Sequence, residues 1–468
     1  MTHLFPSLAL SGALALAYWN SFGGVFQFDD FNVIVGNPAI HSWQAWLADA
    51  PSGIRPFLKF TYMLNWTWGV GTFGFHLFNT LVHLISAFLI YHLSRNFLKH
   101  HSHAPLEAGA WTCALIFALH PAQTEAVTYI SGRSTSLMAL LYLGSLMAYV
   151  QGCDRNNRYL VYLASPLLLI LAVLTKETAV TLPLSLLLWE RTGKAKRPWR
   201  VILKNLVVHA SLLGTMSIVL CAHHGYLIFF QACFRIRGWA ENLLTQVNAL
   251  PYLISRLFLV HSLNIDPDLP VVLEWNPLII LQAISLAALI FLGLFCLRRR
   301  PSIGFGLLWF FIHLLPTNSF IPRLDIANDR QLYLASWGLF LAFSIEMGKA
   351  VKYLKQGRVL SHALVIPLAF ILCFFTIARN NVYKSEIALW EDATGKSPYK
   401  ARVHNNLGYA YYLSGRYGDA EKAYLAALRI KPDYSLARNN FTLLDNLRHE
   451  KAGMAGEPHL SPRGRGAG

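Results

Sequence analysis

Long apolar segments separated by short basic loops constrain this chain more than any other feature. Apolar runs at 4–22, 76–97 and 201–221 approach the roughly 20 residues that a helix needs to cross a bilayer. Hydrophobic residues make up 54% of the chain and charged residues only 14%. The sequence therefore predicts an all-α, polytopic bundle of membrane helices, with the lipid bilayer as its surroundings.

The basic residues indicate how the chain is threaded. The formal net charge is +16, but the cations gather in short loops, as the positive-inside bias predicts. This pattern argues against nucleic-acid binding. The strongest basic loop, at 191–200, belongs on the inner side, as does the end of the second span at Arg95 and Lys99. Counting from these loops predicts about eleven crossings, with the segment after span one and the C-terminal region outside.

The predicted spans can be given individually. They are 4–22, 76–97, 109–120, a span from Ser131 to Asp154, two short runs joined by Thr175-Lys176-Glu177, 201–221, 277–297, 303–315, 331–348 and 361–378. We interpret 4–22 as a retained span, although a cleaved signal peptide is the alternative. Residues 241–262 are long enough to span but are polar, and crossing there would leave Arg298-Arg299-Arg300 outside. We predict an interfacial or re-entrant helix for them.

The C-terminal region has the composition of a soluble domain. Residues 401–434 form a 34-residue unit whose small and aromatic residues match the interlocking positions of tetratricopeptide (TPR) helix pairs: Leu407, Gly408, Tyr411, Ala420, Tyr424, Ala427 and Pro432. A half repeat precedes this unit, and a capping helix is expected at 435–449. The predicted domains are therefore 1–380 in the membrane, with an outer loop at 23–75, a TPR domain at 381–450 and a disordered tail at 451–468.

Two adjacent carboxylates, Asp29 and Asp30, follow the first span. An ionised carboxylate within reach of a hydroxyl can act as a general base. Alternatively, the two acids cap a short interfacial helix, because Asp accepts hydrogen bonds from free helical N–H groups. The pair by itself does not separate these hypotheses.

Charged residues accumulate on the predicted outer side. They are Asp29, Asp30, Arg55, Glu125, Arg133, Lys176, Glu177, Arg323, Asp325, Asp329 and Arg330. Carboxylates mixed with cations suit a site that grips a phosphate while a hydroxyl is deprotonated. An ion transporter would bury its charges midway along the spans. The plain alternative for Lys176 and Glu177 is an ion pair that caps a helical hairpin. The six cysteines show no metal-type spacing, so neither a metal nor a cofactor is predicted.

Short motifs occur along the membrane part in a characteristic order. They are Gln27-Phe28-Asp29-Asp30, Asn37-Pro38, Arg55-Pro56, Gly74-Phe75-His76-Leu77-Phe78-Asn79, Ala118-Leu119-His120-Pro121, Gln123-Thr124-Glu125-Ala126-Val127, Ile130-Ser131-Gly132-Arg133 and Thr175-Lys176-Glu177-Thr178. In this the chain resembles the transmembrane and tetratricopeptide-repeat protein O-mannosyltransferases and their bacterial relatives. The resemblance covers about 20–340, and the TPR tail strengthens it.

The resemblance implies a glycosyltransferase of the C superfamily, which takes a sugar from a polyprenyl-phosphate carrier and places it on an acceptor at the outer face. It implies that Asp30 or Asp29 is the catalytic base, with Asp30 preferred. It also implies that Lys176, Arg133 and Arg330 hold the lipid phosphate. Further substrate-binding candidates from the same motifs are Arg55, Glu125 and His120.

The expected reaction is inverting transfer of a mannose-like hexose to Ser or Thr of proteins, in the inner membrane with the site and TPR domain facing the periplasm. The TPR tail favours a protein acceptor, because such repeats form concave surfaces for peptides. One alternative keeps the carrier but has a glycan or lipid as acceptor. The other is a non-enzymatic, membrane-anchored TPR adaptor, which would leave the outer charges without a role.

Overall fold

The computed structural model describes residues 4–101, 106–193, 197–352 and 357–455. Within these ranges it contains helices and turns but no strand, so the predicted all-α class is confirmed. The chain divides into two compact units. Unit 1 comprises 1–265 and 269–385, and unit 2 comprises 266–268 and 386–468.

Unit 1 contains sixteen α-helices in the described residues. They are α1 Leu4–Tyr18, α2 Trp43–Asp49, α3 Pro56–Trp68, α4 Gly71–His101, α5 Leu106–Leu119, α6 Thr124–Val127, α7 Arg133–Asp154, α8 Ser165–Thr175, α9 Leu182–Thr192, α10 Trp199–Ala222, α11 His224–Ile236, α12 Trp239–Arg256, α13 Pro277–Arg299, α14 Pro301–Leu314, α15 Leu332–Lys352 and α16 Gly357–Val382.

Six stretches in the described residues are long and apolar enough to cross a membrane. They are Gly71–Lys99, Ile130–Asp154, Trp199–Ala222, Pro277–Arg299, Asp329–Val351 and Ala363–Val382. Shorter apolar helices occupy Glu107–Leu119, Leu160–Thr175 and Pro301–Leu314. The protein is thus a multi-pass membrane protein. A helix lies at each predicted span, but the number of crossings remains a prediction.

Local sequence signals fix several helix ends. Pro277 occupies the first turn of α13, and Asn276 caps that helix by accepting a hydrogen bond from the Ile279 N–H at 3.0 Å. Pro56 likewise starts α3, and Gly69 ends it at φ 75°. Because glycine adopts positive φ without strain, this residue stops the helix before α4 begins.

The polar segment at 241–262 has a structural explanation in α12. The Asn242 side chain donates to the Ser319 carbonyl at 2.6 Å, and Gln246 donates to the Ile326 carbonyl at 3.2 Å. These amides satisfy backbone groups of the long connection between α14 and α15. α12 is not among the candidate spans of the described residues. Its interfacial or re-entrant placement remains a prediction.

Unit 2 contains α17 Glu386–Lys396, α18 Ala401–Leu413, α19 Tyr417–Ile430 and α20 Ser435–Ala455. Gly408 is required where α18 and α19 cross, because a Cβ there would lie 2.6 Å from the Tyr424 ring. α20 extends to Ala455, into the tail predicted to be disordered from 451, and the rest of that tail lies outside the described residues.

Segment 266–268 belongs to unit 2, and its first residue forms ion pairs within that unit. Asp266 is buried, and its carboxylate accepts from the Lys400 Nζ at 2.6 Å and the Arg402 Nε at 2.7 Å. The Ser397 hydroxyl donates to the Asp266 carbonyl at 2.9 Å. This side of α18 is therefore fixed by charge-assisted hydrogen bonds.

Candidate active site

A strained turn contains the two neighbouring aspartates. Phe28 has φ 48°, in the left-handed region that a non-glycine residue seldom adopts. The Asp30 N–H closes the turn by donating to the Gln27 carbonyl at 2.9 Å. Left-handed residues of this kind cluster at functional sites, where the surrounding structure holds them. Because of this turn, the two carboxylates lie in different environments.

Asp30 is buried, with 1% of its surface exposed. One carboxylate oxygen accepts from the Ser131 N–H at 2.8 Å and from the Ser131 hydroxyl, and the other accepts from the Gln27 N–H at 3.0 Å. Burial raises the pKa of Asp30 to about 7, although these hydrogen bonds lower it. Asp30 therefore joins the loop after α1 to the corner before α7.

Asp29 instead lines a cavity of about 350 Å³. Its N–H donates to the Tyr129 hydroxyl at 3.0 Å. The cavity is bounded by Asp29, Val33, Arg55, Leu58, Tyr62, Ser131, Ser134, Lys176, Phe229, Ala232, Cys233, Ile236, Arg323, Leu324, Asp325 and Arg330. The wall thus brings residues from the loop after α1, α3, the start of α7, the α8–α9 turn, α11 and the α14–α15 connection to one place.

Two of the four cations at this cavity are held by carboxylates. Arg55 makes a bidentate pair with Glu177, with Nε–Oε1 at 2.9 Å and Nη2–Oε2 at 2.8 Å. This pairing lowers the pKa of Glu177 against the effect of burial. The Arg330 guanidinium lies 3.5 Å from both Glu125 and Asp325. Both arginines are therefore fixed in direction before any ligand arrives.

The other two cations, Lys176 and Arg323, form no ion pair with a carboxylate in the described part of the chain. Lys176 is buried and donates to the Thr135 hydroxyl at 2.6 Å. Burial, together with the nearby guanidinium groups of Arg330 and Arg323, lowers the pKa of Lys176 well below its usual value. An anion bound here would relieve that repulsion, so the cavity suits a phosphate.

An apolar pocket of about 190 Å³ adjoins the cavity and shares Arg55, Lys176, Phe229 and Arg323 with it. Its other walls are mostly apolar or aromatic: Val180, Leu220, Tyr226, Phe230, Pro316 and Ile321. Cationic and apolar surfaces meet at these shared residues. This arrangement matches an amphipathic ligand with an anionic head.

Arg133, a predicted phosphate ligand, does not line the cavity. It is fully buried, and its guanidinium donates to the Asn79 side-chain oxygen at 2.7 Å, the Thr61 carbonyl at 3.1 Å and the Phe75 carbonyl at 3.2 Å. The Phe78 ring centroid lies 4.3 Å from it. These contacts connect α3, α4 and α7 and use the donors that a phosphate would need.

Two further predicted residues also lie outside the cavity wall. The His120 Nε2 is 3.1 Å from the Leu257 carbonyl, and its Nδ1 accepts from the Ala122 N–H at 3.2 Å. Glu125 is buried behind Arg330 and accepts from the Arg330 N–H at 3.1 Å. Of the site residues predicted from the sequence, four line the cavity: Asp29, Arg55, Lys176 and Arg330.

Sequence reasoning missed Tyr129 and gave no site role to Arg323. Tyr129 holds the Asp29 backbone, and its ring centroid lies 5.9 Å from the Arg330 guanidinium. Arg323 was grouped with the outer charges, but no motif distinguishes it. In the described residues, no group of three or more His, Cys, Asp or Glu side chains is placed to hold a metal ion.

The fold and site define a class: a multi-pass helical membrane protein with a cationic, carboxylate-containing cavity and a C-terminal TPR unit. The Tetratricopeptide repeat family model matches residues 401–434. No solved structure matches the chain.

Similar curated proteins narrow this class. The chain is 26% identical to the Caenorhabditis elegans "Protein O-mannosyl-transferase F38B6.6", over 91% of this chain and 63% of that protein. It is 24% identical to human "Protein O-mannosyl-transferase TMTC1", over 93% and 56%, and 25% identical to human "Protein O-mannosyl-transferase TMTC4", over 87% and 65%. The resemblance read from the motifs is confirmed: the chain is a homologue of TMTC-type protein O-mannosyltransferases. It spans less than two thirds of these relatives' lengths.

Proposed function

We propose that this protein is a membrane glycosyltransferase that moves a hexose from a polyprenyl-phosphate carrier to a hydroxyl group of a protein. One observation carries the proposal: Asp29 lies at the wall of a cavity with four cations, and an apolar pocket shares three of those cations. The kinship with proteins named O-mannosyl-transferases supports the reaction class. A mannose-like sugar and a Ser or Thr acceptor follow from that kinship.

We assign the general base to Asp29 and not to Asp30, which the family resemblance favours. A base must reach the acceptor proton. The Asp30 oxygens already accept hydrogen bonds from Ser131 and Gln27 and face no cavity wall, whereas Asp29 lines the cavity. Asp30 then acts as a positioning residue, because it holds the turn that presents Asp29.

In the proposed step the acceptor oxygen attacks the anomeric carbon, and its proton passes to the Asp29 carboxylate. A new C–O bond forms as the bond from the anomeric carbon to the phosphate oxygen breaks, and the phosphate leaves with the electron pair. Direct attack from the opposite face inverts the configuration. Lys176 and Arg323 would bind the departing phosphate, with Arg330 directed towards it by Glu125 and Asp325. No nucleotide is required.

The apolar pocket would bind the isoprenoid chain of the carrier. A polyprenyl phosphate has an anionic head joined to an isoprenoid chain, so the head would contact Lys176 and Arg323 while the first isoprene units contact Phe229 and Phe230. Arg55, paired with Glu177, borders both spaces and would orient the head. In this proposal Arg133 and His120 maintain the scaffold and do not touch the donor.

The proposal also includes the orientation of the protein in the membrane and the choice of a protein acceptor. The loop charges support a site and a TPR unit on the outer side of the inner membrane, and TPR repeats bind peptides. A reporter fused after Asn380 tests the first part: activity only from a cytoplasmic fluorescent fusion, and none from alkaline phosphatase, would contradict it.

The activity itself is tested by transfer of radiolabelled hexose from purified polyprenyl-phosphate sugars. The acceptors are a periplasmic protein extract and, separately, lipid and glycan fractions. We expect label on protein that β-elimination releases, as for Ser and Thr linkages. Label confined to lipid or glycan would replace the protein acceptor, and no transfer with any donor sugar would favour a non-enzymatic adaptor.

A further inference from the structure

α11 begins where a candidate membrane span ends. The span Trp199–Ala222 coincides with α10, and a single residue, His223, separates it from α11 at His224–Ile236. His223 is extended, with φ −78° and ψ 123°, so the chain changes direction there. A helix that leaves the end of a span in a new direction starts at the membrane surface.

One strip of α11 forms part of the cavity wall. Phe229, Cys233 and Ile236 recur at helical spacing and all line the cavity of about 350 Å³. Tyr226, on the same side, accepts the Arg55 N–H at 3.2 Å. α11 is therefore a wall of the candidate active site and is joined to α3 through the start of that helix.

Two other strips of α11 have different chemistry. An apolar strip is formed by Leu227, Phe230 and Phe234, of which Leu227 is 42% and Phe234 50% exposed. A mostly polar strip is formed by His224, Gln231 and Arg235, all exposed, and it also contains Ile228, which is 53% exposed. At 3.6 residues per turn, the apolar strip lies between the cavity strip and the polar strip. A helix with this order of faces lies in the plane of the membrane surface.

We propose that α11 is a membrane-surface helix whose Leu227–Phe230–Phe234 strip contacts the acyl chains of the adjacent leaflet, and that it forms the entrance by which a lipid-linked phosphate passes from the bilayer into the cavity. The claim that α11 forms this entrance rests on the proposed function. Phe230 connects the two faces, because it belongs to the apolar strip and also lines the apolar pocket beside Lys176. A carrier chain that remains in the leaflet would lie along these side chains while its phosphate enters the cavity.

Spin labels test the placement without reference to activity. Phe234→Cys and Gln231→Cys would be labelled in the full chain, reconstituted in bilayer nanodiscs, with the non-buried Cys153 and Cys221 replaced by serine. We expect the label at position 234 to be relaxed more by oxygen than by a water-soluble nickel complex, and the label at 231 to show the reverse. Equal nickel access at both positions would overturn the proposal.

The entrance role is tested with matched charge substitutions. Phe234→Asp should raise the KM for a long-chain polyprenyl-phosphate sugar by roughly tenfold, because a carboxylate is unfavourable among acyl chains. The control Gln231→Asp should change that KM by less than about twofold. With a short, water-soluble isoprenyl-phosphate sugar, Phe234→Asp should behave like the unchanged protein. An equal loss with both donors, or none with the long one, would refute the entrance. If the unchanged protein transfers no sugar, the proposed function fails and the labels still decide the placement.

Discussion

Charged clusters lie at the two ends of α7, and they differ in how their cations are paired with carboxylates. At the first turn, Ser134 lines the cavity and Thr135 binds Lys176, so α7 borders a region with two cations that have no carboxylate ion pair in the described residues. At the last turn, Asp154 binds Arg197 at 3.1 Å, and Arg197 also binds the buried Glu190. The helix of 22 residues separates the clusters by about 33 Å.

The difference separates a cluster that stabilises helix packing from one that we propose binds a ligand. Arg197 is matched by two carboxylates, and Tyr149 satisfies Glu190 further by donating at 3.0 Å, so this end stabilises the α7–α9–α10 packing. At the other end Lys176 and Arg323 form no ion pair with a carboxylate in the described residues, and both border a cavity. A folded protein retains such repulsion where an anionic ligand compensates it.

The largest expected effect is on the base. Asp29→Asn keeps the size of the side chain but removes the proton acceptor, so kcat for sugar transfer should fall by about 10² to 10⁴, with little change in the melting temperature. Asp30→Asn should mainly lower thermal stability, and it should lower kcat less than Asp29→Asn does, because Asp30 only holds the turn that presents Asp29. The introduced amide would present N–H groups to donors at Gln27 or Ser131, which lowers thermal stability. Transfer assays and thermal unfolding of both variants decide it, and normal transfer by Asp29→Asn would return the base role to Asp30.

The next largest expected effect is on donor affinity, and it compares one substitution in each of the two clusters. Lys176→Met should weaken binding of a polyprenyl phosphate by about 10- to 100-fold, as expected for loss of one charge-assisted hydrogen bond. Relief of the repulsion between Lys176 and its arginine neighbours should hold the melting temperature constant or raise it. Arg197→Met is the matched control and should lower stability without changing donor affinity. Equal affinities in the two variants would show that both clusters are structural.

A smaller effect is expected at Tyr129. Tyr129→Phe removes the hydroxyl that accepts the Asp29 N–H but keeps the ring beside Arg330. One neutral hydrogen bond is worth about 1 kcal/mol, so kcat should fall by roughly fivefold with KM for the donor nearly unchanged. Steady-state kinetics distinguish this from Tyr129→Leu, which should also raise KM because the Arg330 contact is lost. An equal rise in KM for both variants would contradict the positioning role.

The smallest effect concerns pH. The pKa of Asp30 is about 7 in the folded protein against 3.8 for an ordinary Asp, so between these values the folded state holds a proton that the unfolded chain has released. The Asp30 contribution to stability therefore decreases as pH rises from about 4 to about 7. Thermal unfolding of the unchanged protein minus that of Asp30→Asn isolates this dependence from Glu125, whose pKa burial also raises. A difference independent of pH would show that Asp30 is ionised throughout.

The sequence by itself determined the helical membrane class and the TPR unit. Both depend on local patterns: apolar length for the spans, and the spacing of small and aromatic residues such as Gly408 and Tyr424 for the repeat. Motif order also identified the kinship. These features can be recognised in the sequence because each one is formed within a single helix or helix pair.

The tertiary structure decided which charged residues meet. Asp29 and Asp30 are equivalent in sequence, and they differ because the Asp30 carboxylate accepts a hydrogen bond from the Ser131 N–H, 101 residues away, at the turn that the left-handed Phe28 begins. Arg133 belongs to one of the motifs that carry the resemblance, but it donates to backbone carbonyl groups. Arg323 belongs to no motif, but it lines the cavity. Side-chain direction in turns and long-range pairing leave no periodic trace in a sequence, because they depend on partners that only folding brings within reach.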